Sequence, residues 1–298
     1  MKMNSNDMVR FNRAATVILG ILVFLVLMPI VLIVIASITD EKQLLINGYS
    51  FLPKKLSWDS YFYMLLQKKL IFRAYGVSIF VTTFGTITSV FLTTMLAYPM
   101  SRKNFKYRNV LTFFVFFTML FNGGVVSSYM LWSRFLQIKN SIWALIIPNY
   151  LVTAFNVFLV RNYFANSVPD SLIEAAQLDG ASELKTFFKI MLPLATPTVA
   201  TISLFSGLVY WNDWINGLYY ITEPEFFGIQ NLLIRIMNNI QFLRSGSNAA
   251  LLGAQAVDLP GSSVRMALAV IGILPIVIIY PFVQKHFIRG VIVGAVKG

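Results

Sequence analysis

A carboxylate, a pair of alanines and a glycine stand at fixed spacing in Glu174-Ala175-Ala176-Gln177-Leu178-Asp179-Gly180. Nine residues further on the chain reads Ile190-Met191-Leu192-Pro193. Bond-making chemistry does not follow from these residue types. The chain has no cysteine and a single histidine, His286. Neither a zinc ligand set nor a histidine-based hydrolytic triad can be assembled from that inventory. It also has no Walker A glycine–lysine string, so any ATP hydrolysis must be supplied by another chain. What the set can do is dock.

Pro169 ends the preceding chain direction, and Asp170 or Ser171 can cap a new helix. Ser171-Leu172-Ile173-Glu174 fits a capping box, in which the Glu174 carboxylate returns to the cap N–H. The same carboxylate could instead pair with a basic residue on a partner, and the pattern leaves both roles open. Ala175 and Ala176 favour helix and give a flat surface that another protein can approach. Gly180 suits a left-handed residue closing the helix. Ser182 or a neighbour then starts a second short helix through Lys189, and Pro193 marks the start of a longer one. The predicted product is a compact knob over residues 169–193.

A second constellation carries binding chemistry. Sugars are held by aromatic stacking and dense hydrogen bonding, and Trp211, Asn212, Asp213, Trp214 and Asn216 offer both within six residues. Tyr150 and Asn156, with Asn149 beside them, lie in an apolar stretch where an amide is expensive unless it faces a bundle interior or a cavity. Hydrogen bonding between helices is the alternative role for each of these residues.

The elements that position both sets are apolar. The chain is 57% hydrophobic and only 12% charged, against about 25% charged residues in soluble domains. Charge-free windows of 19 residues or more run over 14–38, 74–101, 109–133, 140–160, 190–212 and 266–284. Each is about the length a helix needs to cross the hydrocarbon core. The expected fold is an all-α polytopic membrane protein with six transmembrane helices. The expected division is 1–73 (N-terminal segment, first span and outer segment), 74–284 (a core of five helices) and 285–298 (tail). The first window is too long for the h-region of a signal peptide and is read as a retained span.

With the N terminus inside, the inner segments hold 13 Lys and Arg in 63 residues and the outer ones 11 in 94. That density places both termini in the cytoplasm. The formal net charge of +12 flanks the spans, where lipid headgroups attract it, and does not point to nucleic acid.

Smaller features are legible too. Ser57 could cap a short helix from Trp58 to about Lys69, with Tyr61, Met64 and Leu65 on one face. The window 74–101 carries Thr82, Thr83, Thr86, Thr88, Ser89, Thr93 and Thr94, suited to helix packing. Asn122-Gly123-Gly124 interrupts its window, and its glycines permit close helix approach or a local unwinding. Ile229, Leu233, Ile236, Ile240 and Leu243 form the apolar face of an amphipathic helix. Its polar face carries Gln230, Asn231, Arg235, Asn238, Asn239 and Gln241. Ser245-Gly246-Ser247-Asn248 should break it.

The cassette, Asn122-Gly123-Gly124, Ser141-Ile142-Trp143-Ala144-Leu145-Ile146-Ile147-Pro148, Trp211-Asn212-Asp213-Trp214 and the ending Gly294-Ala295-Val296-Lys297-Gly298 together carry a resemblance over nearly the whole chain. The sequence resembles type I ABC importer permeases of the carbohydrate-uptake class. It is similar to the smaller membrane subunit of maltose-type importers and to permeases of oligosaccharide and aldouronate-type systems.

The resemblance implies a non-catalytic membrane subunit of the bacterial cytoplasmic membrane. It implies pairing with a second, non-identical permease and docking on two ATP-binding-cassette subunits. Glu174, Ala175, Ala176, Asp179, Gly180, Ile190, Leu192 and Pro193 are the implied coupling residues. ATP and Mg would sit on the partner subunits, with no cofactor on this chain. An extracellular or periplasmic solute-binding protein would deliver the sugar, and the tail would reach between the ATPases. A gradient-driven transporter would need ionisable residues inside the spans, and the windows contain none. ABC machinery with a non-sugar cargo is the remaining alternative.

Overall fold

The computed structural model describes residues 5–148, 150–244 and 261–295. Asn149, the Ser245–Asn248 break and the last three residues of the Gly294–Gly298 ending lie outside them. Among the described residues there is no strand, only an isolated bridge between Thr39 and Leu56. The chain divides into two compact units, Met1–Lys68 with Arg235–Pro275 and Lys69–Ile234 with Ile276–Gly298.

In the first unit, α1 (Ser5–Ser37) is apolar around its whole circumference from Ala14 on, with large apolar side chains exposed from Val17 to Val34. Such a helix needs apolar surroundings. It ends where the Ser37 hydroxyl bonds the Val34 carbonyl at 2.7 Å and meets the Tyr61 hydroxyl at 2.9 Å. The helix α2 (Glu41–Asn47) is capped by Asp40, which accepts from the Gln43 N–H. The helix α3 (Asp59–Leu66) starts beside Ser57, whose hydroxyl oxygen accepts from the Asp59 N–H at 3.0 Å. It buries Met64 but leaves Leu65 exposed, a narrower apolar face than the spacing suggested.

Glu41 fixes the start of the last long helix, which runs Ser262–Ala295. Its carboxylate accepts from the Ser262 N–H at 2.9 Å, the Ser263 N–H at 2.8 Å and the Ser263 hydroxyl at 2.7 Å. Burial raises its pKa, but these bonds outweigh that, and the carboxyl is held below its ordinary value of 4.5. A depressed folded-state value means stabilisation that is present at neutral pH and lost as pH falls through that value. Glu41→Ala is therefore expected to cost about 1–3 kcal/mol at neutral pH. The deficit should shrink below pH 4.5. A thermal melt of the detergent-solubilised protein at both pH values checks this, and a pH-independent deficit would contradict it.

In the second unit, α4 (Lys68–Ser101) is followed by α5 (Arg108–Leu120), α6 (Gly124–Met130) and a π-helical turn over Leu131–Phe135. The interruption at Asn122-Gly123-Gly124 bends this pair by 116°. Gly124 has φ +80° and its N–H donates to the Asn122 side chain at 2.8 Å, so a left-handed residue with an Asx contact makes the break. Next come α7 (Trp143–Ile146), α8 (Ala154–Ser167), α9 (Asp170–Leu178) and α10 (Glu183–Thr186). A π-helical turn over Phe187–Met191 leads to α11 (Leu192–Leu194), α12 (Thr196–Trp211) and α13 (Ile215–Tyr220). The core joins α4, α8, α9 and α12 through Ala97, Met100, Val160, Phe164, Ile173 and Ile202.

The helix α14 (Ile229–Arg244) has the expected buried stripe of Ile229, Leu233, Ile236 and Ile240. Asn231, expected on the polar face, is buried instead, and its side-chain N–H donates to the Trp214 carbonyl at 3.3 Å. With α15 as the Ser262–Ala295 helix, three helices among the described residues are long and apolar enough to cross a membrane: Met8–Ser37, Lys68–Ser101 and Ser262–Ile279. Counting Arg108–Leu120 with Gly124–Phe135, and Glu183–Leu194 with Thr196–Trp211, each as one bent span brings the number among the described residues to five. The window 140–160 is not a continuous helix. Pro148 has no N–H to return to Ala144 and its ring crowds that turn.

Candidate functional site

The cassette folds as a knob on a locked base. The helix α9 starts after Pro169, and no side chain caps it. The expected capping box is not formed. Pro169 is extended and occupies the cap position, and Asp170 instead pairs with Lys103 at 2.8 Å. Lys103 beside it holds the Asp170 carboxyl below the usual range. Glu174 is exposed and makes no hydrogen bond or ion pair among the described residues.

The helix closes as the glycine predicts. Gly180 has φ +75°. The Gly180 N–H donates to Gln177 O at 3.0 Å and the Ala181 N–H to Ala176 O at 2.9 Å. That pair of bonds is a Schellman closure. Ser182 then caps α10 by accepting from the Lys185 N–H at 3.3 Å.

Two details correct the sequence reading. Ala176 faces inward with Ile173 and is buried, so Ala175 alone of the alanine pair meets solvent. The second helix does not stop near Lys189. It continues from Glu183 to Leu194, and an 81° bend follows before Thr196–Trp211. The bend falls at Ala195 because Pro197 has no N–H for the Pro193 carbonyl. The Thr196 hydroxyl donates to that carbonyl at 2.6 Å instead. Pro193 thus lies before the bend, Ile190 and Leu192 are half-buried, and none of the three shares α9 with Glu174.

Leu178 is the feature that sequence reasoning passed over. It is 89% exposed, and Leu184 is 63% exposed. Leu178 lies off the Ile173–Ala176 face at helical spacing, which was the available signal. The outer surface of the knob therefore presents Glu174, Ala175, Leu178 and Asp179 around the Gly180 turn.

The binding candidates gather around the break between α7 and α8, and most are already engaged. Three carbonyls at that break are taken by side chains. The Tyr210 hydroxyl donates to Ile146 O at 3.0 Å, the Asn216 amide to Pro148 O at 3.2 Å and the Ser89 hydroxyl to Tyr150 O at 3.2 Å. The Tyr150 hydroxyl donates to Asp213 at 3.2 Å, and the same carboxylate oxygen accepts the Ile215 and Asn216 N–H groups, both at 3.1 Å. The Asn156 amide donates to the Ser206 hydroxyl oxygen at 3.4 Å. Irregular backbone at membrane depth is tolerated where protein satisfies it, and these bonds meet three of its carbonyls. Trp211 is buried, with its ring 6.3 Å from that of Tyr75. Of the six candidates, only Asn212 is exposed, beside the exposed Trp214, and its amide donates to the Leu208 carbonyl at 2.9 Å.

Residues 85–293 match the family described as binding-protein-dependent transport system inner membrane component. The chain belongs to that family and is a membrane permease component of such a system. It is 36% identical to the polygalacturonan/rhamnogalacturonan transport system permease protein YtcP of Bacillus subtilis, over 91% of this chain and 92% of that protein. It is 29% identical to the arabinooligosaccharides transport system permease protein AraQ of the same species, over 97% of this chain and 96% of that one. Its fold is similar to a chain in the crystal structure of a bacterial ABC transporter that imports the acidic polysaccharide alginate. The TM-score is 0.77 and the identity 30%, over 96% of this chain and 100% of that one.

Proposed function

We propose that this chain is one of two membrane subunits of an ATP-driven importer, and that the cargo is an oligosaccharide rich in uronic acid. The observation that carries the coupling role is the knob: Glu174, Ala175 and Leu178 are exposed on a helix whose opposite face, Ile173 and Ala176, is locked into the core. An exposed leucine beside an unpaired carboxylate suits a protein partner. That partner is an ATPase subunit, one of two, which supplies ATP and Mg. A second, non-identical permease completes the path, and a solute-binding protein delivers the sugar. The acidic cargo is supported by the names of similar proteins, which transport polygalacturonan and alginate. Asn212, with the Trp214 ring, is the candidate pair left to meet sugar.

ATP-dependent uptake by proteoliposomes of the whole importer tests the cargo. Labelled oligogalacturonides are expected to be imported and to compete better than neutral arabino-oligosaccharides, and Asn212→Ala is expected to slow uptake. Preferential import of the neutral sugar would overturn the acidic assignment.

The proposed topology has six spans and both termini in the cytoplasm, with α9 and α10 on the cytoplasmic face. Because the chain has no cysteine, single thiols report cleanly. An impermeant maleimide added to intact cells should label Leu52→Cys and not Lys106→Cys. Labelling of the second position without lysis would reverse the orientation.

A further inference from the structure

A carboxylate of the knob bonds directly to α4. Tyr98 lies in the last turn of α4, and its hydroxyl donates to one oxygen of Glu183. The other oxygen accepts from the Gln177 amide at 3.1 Å. Glu183 opens the helix that leads to the bend at Ala195, Gln177 lies on α9, and Tyr98 lies on a span. One side chain therefore joins three elements.

The joint is stiff at the Tyr98 end. That residue is buried, edge-on to Phe164 at 6.4 Å and tilted against Phe187 at 5.4 Å. A cavity of about 400 Å³ beside it, lined in part by Arg102, Gln177, Glu183 and Leu184, leaves the carboxylate reachable by water. The other polar link between α9 and the end of α4, Lys103–Asp170, has side chains 75% and 57% exposed. An ion pair that open to water contributes little. A hydrogen bond from a buried hydroxyl to a carboxylate is the stronger tie.

We propose that Glu183 is a positioning residue that clamps the coupling helix to the end of α4 through Tyr98 and Gln177, so that a push on the knob moves the membrane helices with it. The inference rests on the docking role proposed above for the knob.

The test uses the reconstituted importer and reads sugar molecules moved per ATP hydrolysed. Tyr98→Phe and Glu183→Ala are each expected to lower that ratio roughly fivefold or more, the scale set by one charge-assisted hydrogen bond. Combined, they should be no worse than the more impaired single variant, because both cut the same connection. Glu183→Gln should restore the ratio: its amide oxygen accepts from Tyr98, and the Gln177 amide can turn to accept from its NH2. A role in folding alone would change complex yield and leave the ratio intact. If Glu183→Ala does not assemble, Tyr98→Phe, which deletes one oxygen, carries the comparison.

A native ratio in Tyr98→Phe, additive losses in the double variant, or Glu183→Gln as impaired as Glu183→Ala would each overturn the inference. Should Glu174→Lys and Gly180→Val uncouple the importer while Tyr98→Phe does not, the clamp alone fails. Should those two stay fully coupled, the docking role falls and the clamp falls with it.

Discussion

Gly180→Val is expected to abolish sugar uptake while the protein still inserts in the membrane. Gly180 has φ +75° with nothing within 4 Å of an added Cβ, so the penalty is backbone strain and not crowding. A β-branched residue is a poor fit to that region. Strain of this kind costs about 1–3 kcal/mol. That is too little to unfold the apolar helices but enough to open the Schellman closure that sets the direction of α9 against α10. Glu174→Lys attacks the same surface differently, by reversing a solvent-exposed charge without touching the fold. Both variants should extract at wild-type yield, retain less ATPase subunit on purification and lose sugar-stimulated ATP hydrolysis together with uptake. Gly180→Ala, which lacks the branch, should fall between. Wild-type uptake by Gly180→Val and Glu174→Lys at equal complex levels would show that the knob transmits nothing.

Gly85→Val should be the most damaging change inside the membrane helices. A Cβ at Gly85 would lie 2.6 Å from Tyr210 Cζ and 2.8 Å from both Cε atoms. The ring cannot swing away freely. Its hydroxyl holds the Ile146 carbonyl at 3.0 Å and its edge meets Tyr150 at 5.6 Å. Displacing it overpacks the α4–α12 contact at about 1–3 kcal/mol. It also leaves a buried carbonyl unpaired at a similar cost of about 1–3 kcal/mol. Gly85→Val should therefore fail to give monodisperse protein after extraction. Adding Tyr210→Ala should restore some of the yield by vacating the space. An unchanged thermal midpoint for Gly85→Val would contradict the close approach.

Some of this was legible in the residues. Gly180 announced left-handed backbone at the end of its helix, whereas Asn122-Gly123-Gly124 marked a site for close approach or unwinding without singling out Gly124 as the left-handed residue. The stripe Ile229–Ile240 announced its buried face by spacing alone. Other features had no local signal. The inward turn of Ala176 depends on which face of α9 meets the core, and the motif itself presents both alanines as equivalent. The charge-free window 140–160 satisfied a length criterion that cannot see a broken backbone, although Pro148 stood within it. The donors to that break, Ser89 on one side and Tyr210 and Asn216 on the other, lie 61 positions or more from the carbonyls they meet. Tyr98 and Glu183 are 85 positions apart. Polar residues such as Asn156 and Asn216 suggested a sugar path by type. Their amide nitrogens bond the Ser206 hydroxyl and the Pro148 carbonyl, and Asn212, exposed, bonds the Leu208 carbonyl.

A cross-link from the knob reads its contact with the ATPase directly. The native chain has no thiol, so Glu174→Cys places one bifunctional reagent site on the exposed face of α9, and Leu52→Cys places a control on the first unit. In membranes containing the whole importer, an adduct between position 174 and an ATPase subunit is expected. Its yield should change on adding ATP and the binding protein, with no such adduct from position 52. Equal capture from both positions, or none from 174 in a complex that transports, would contradict it.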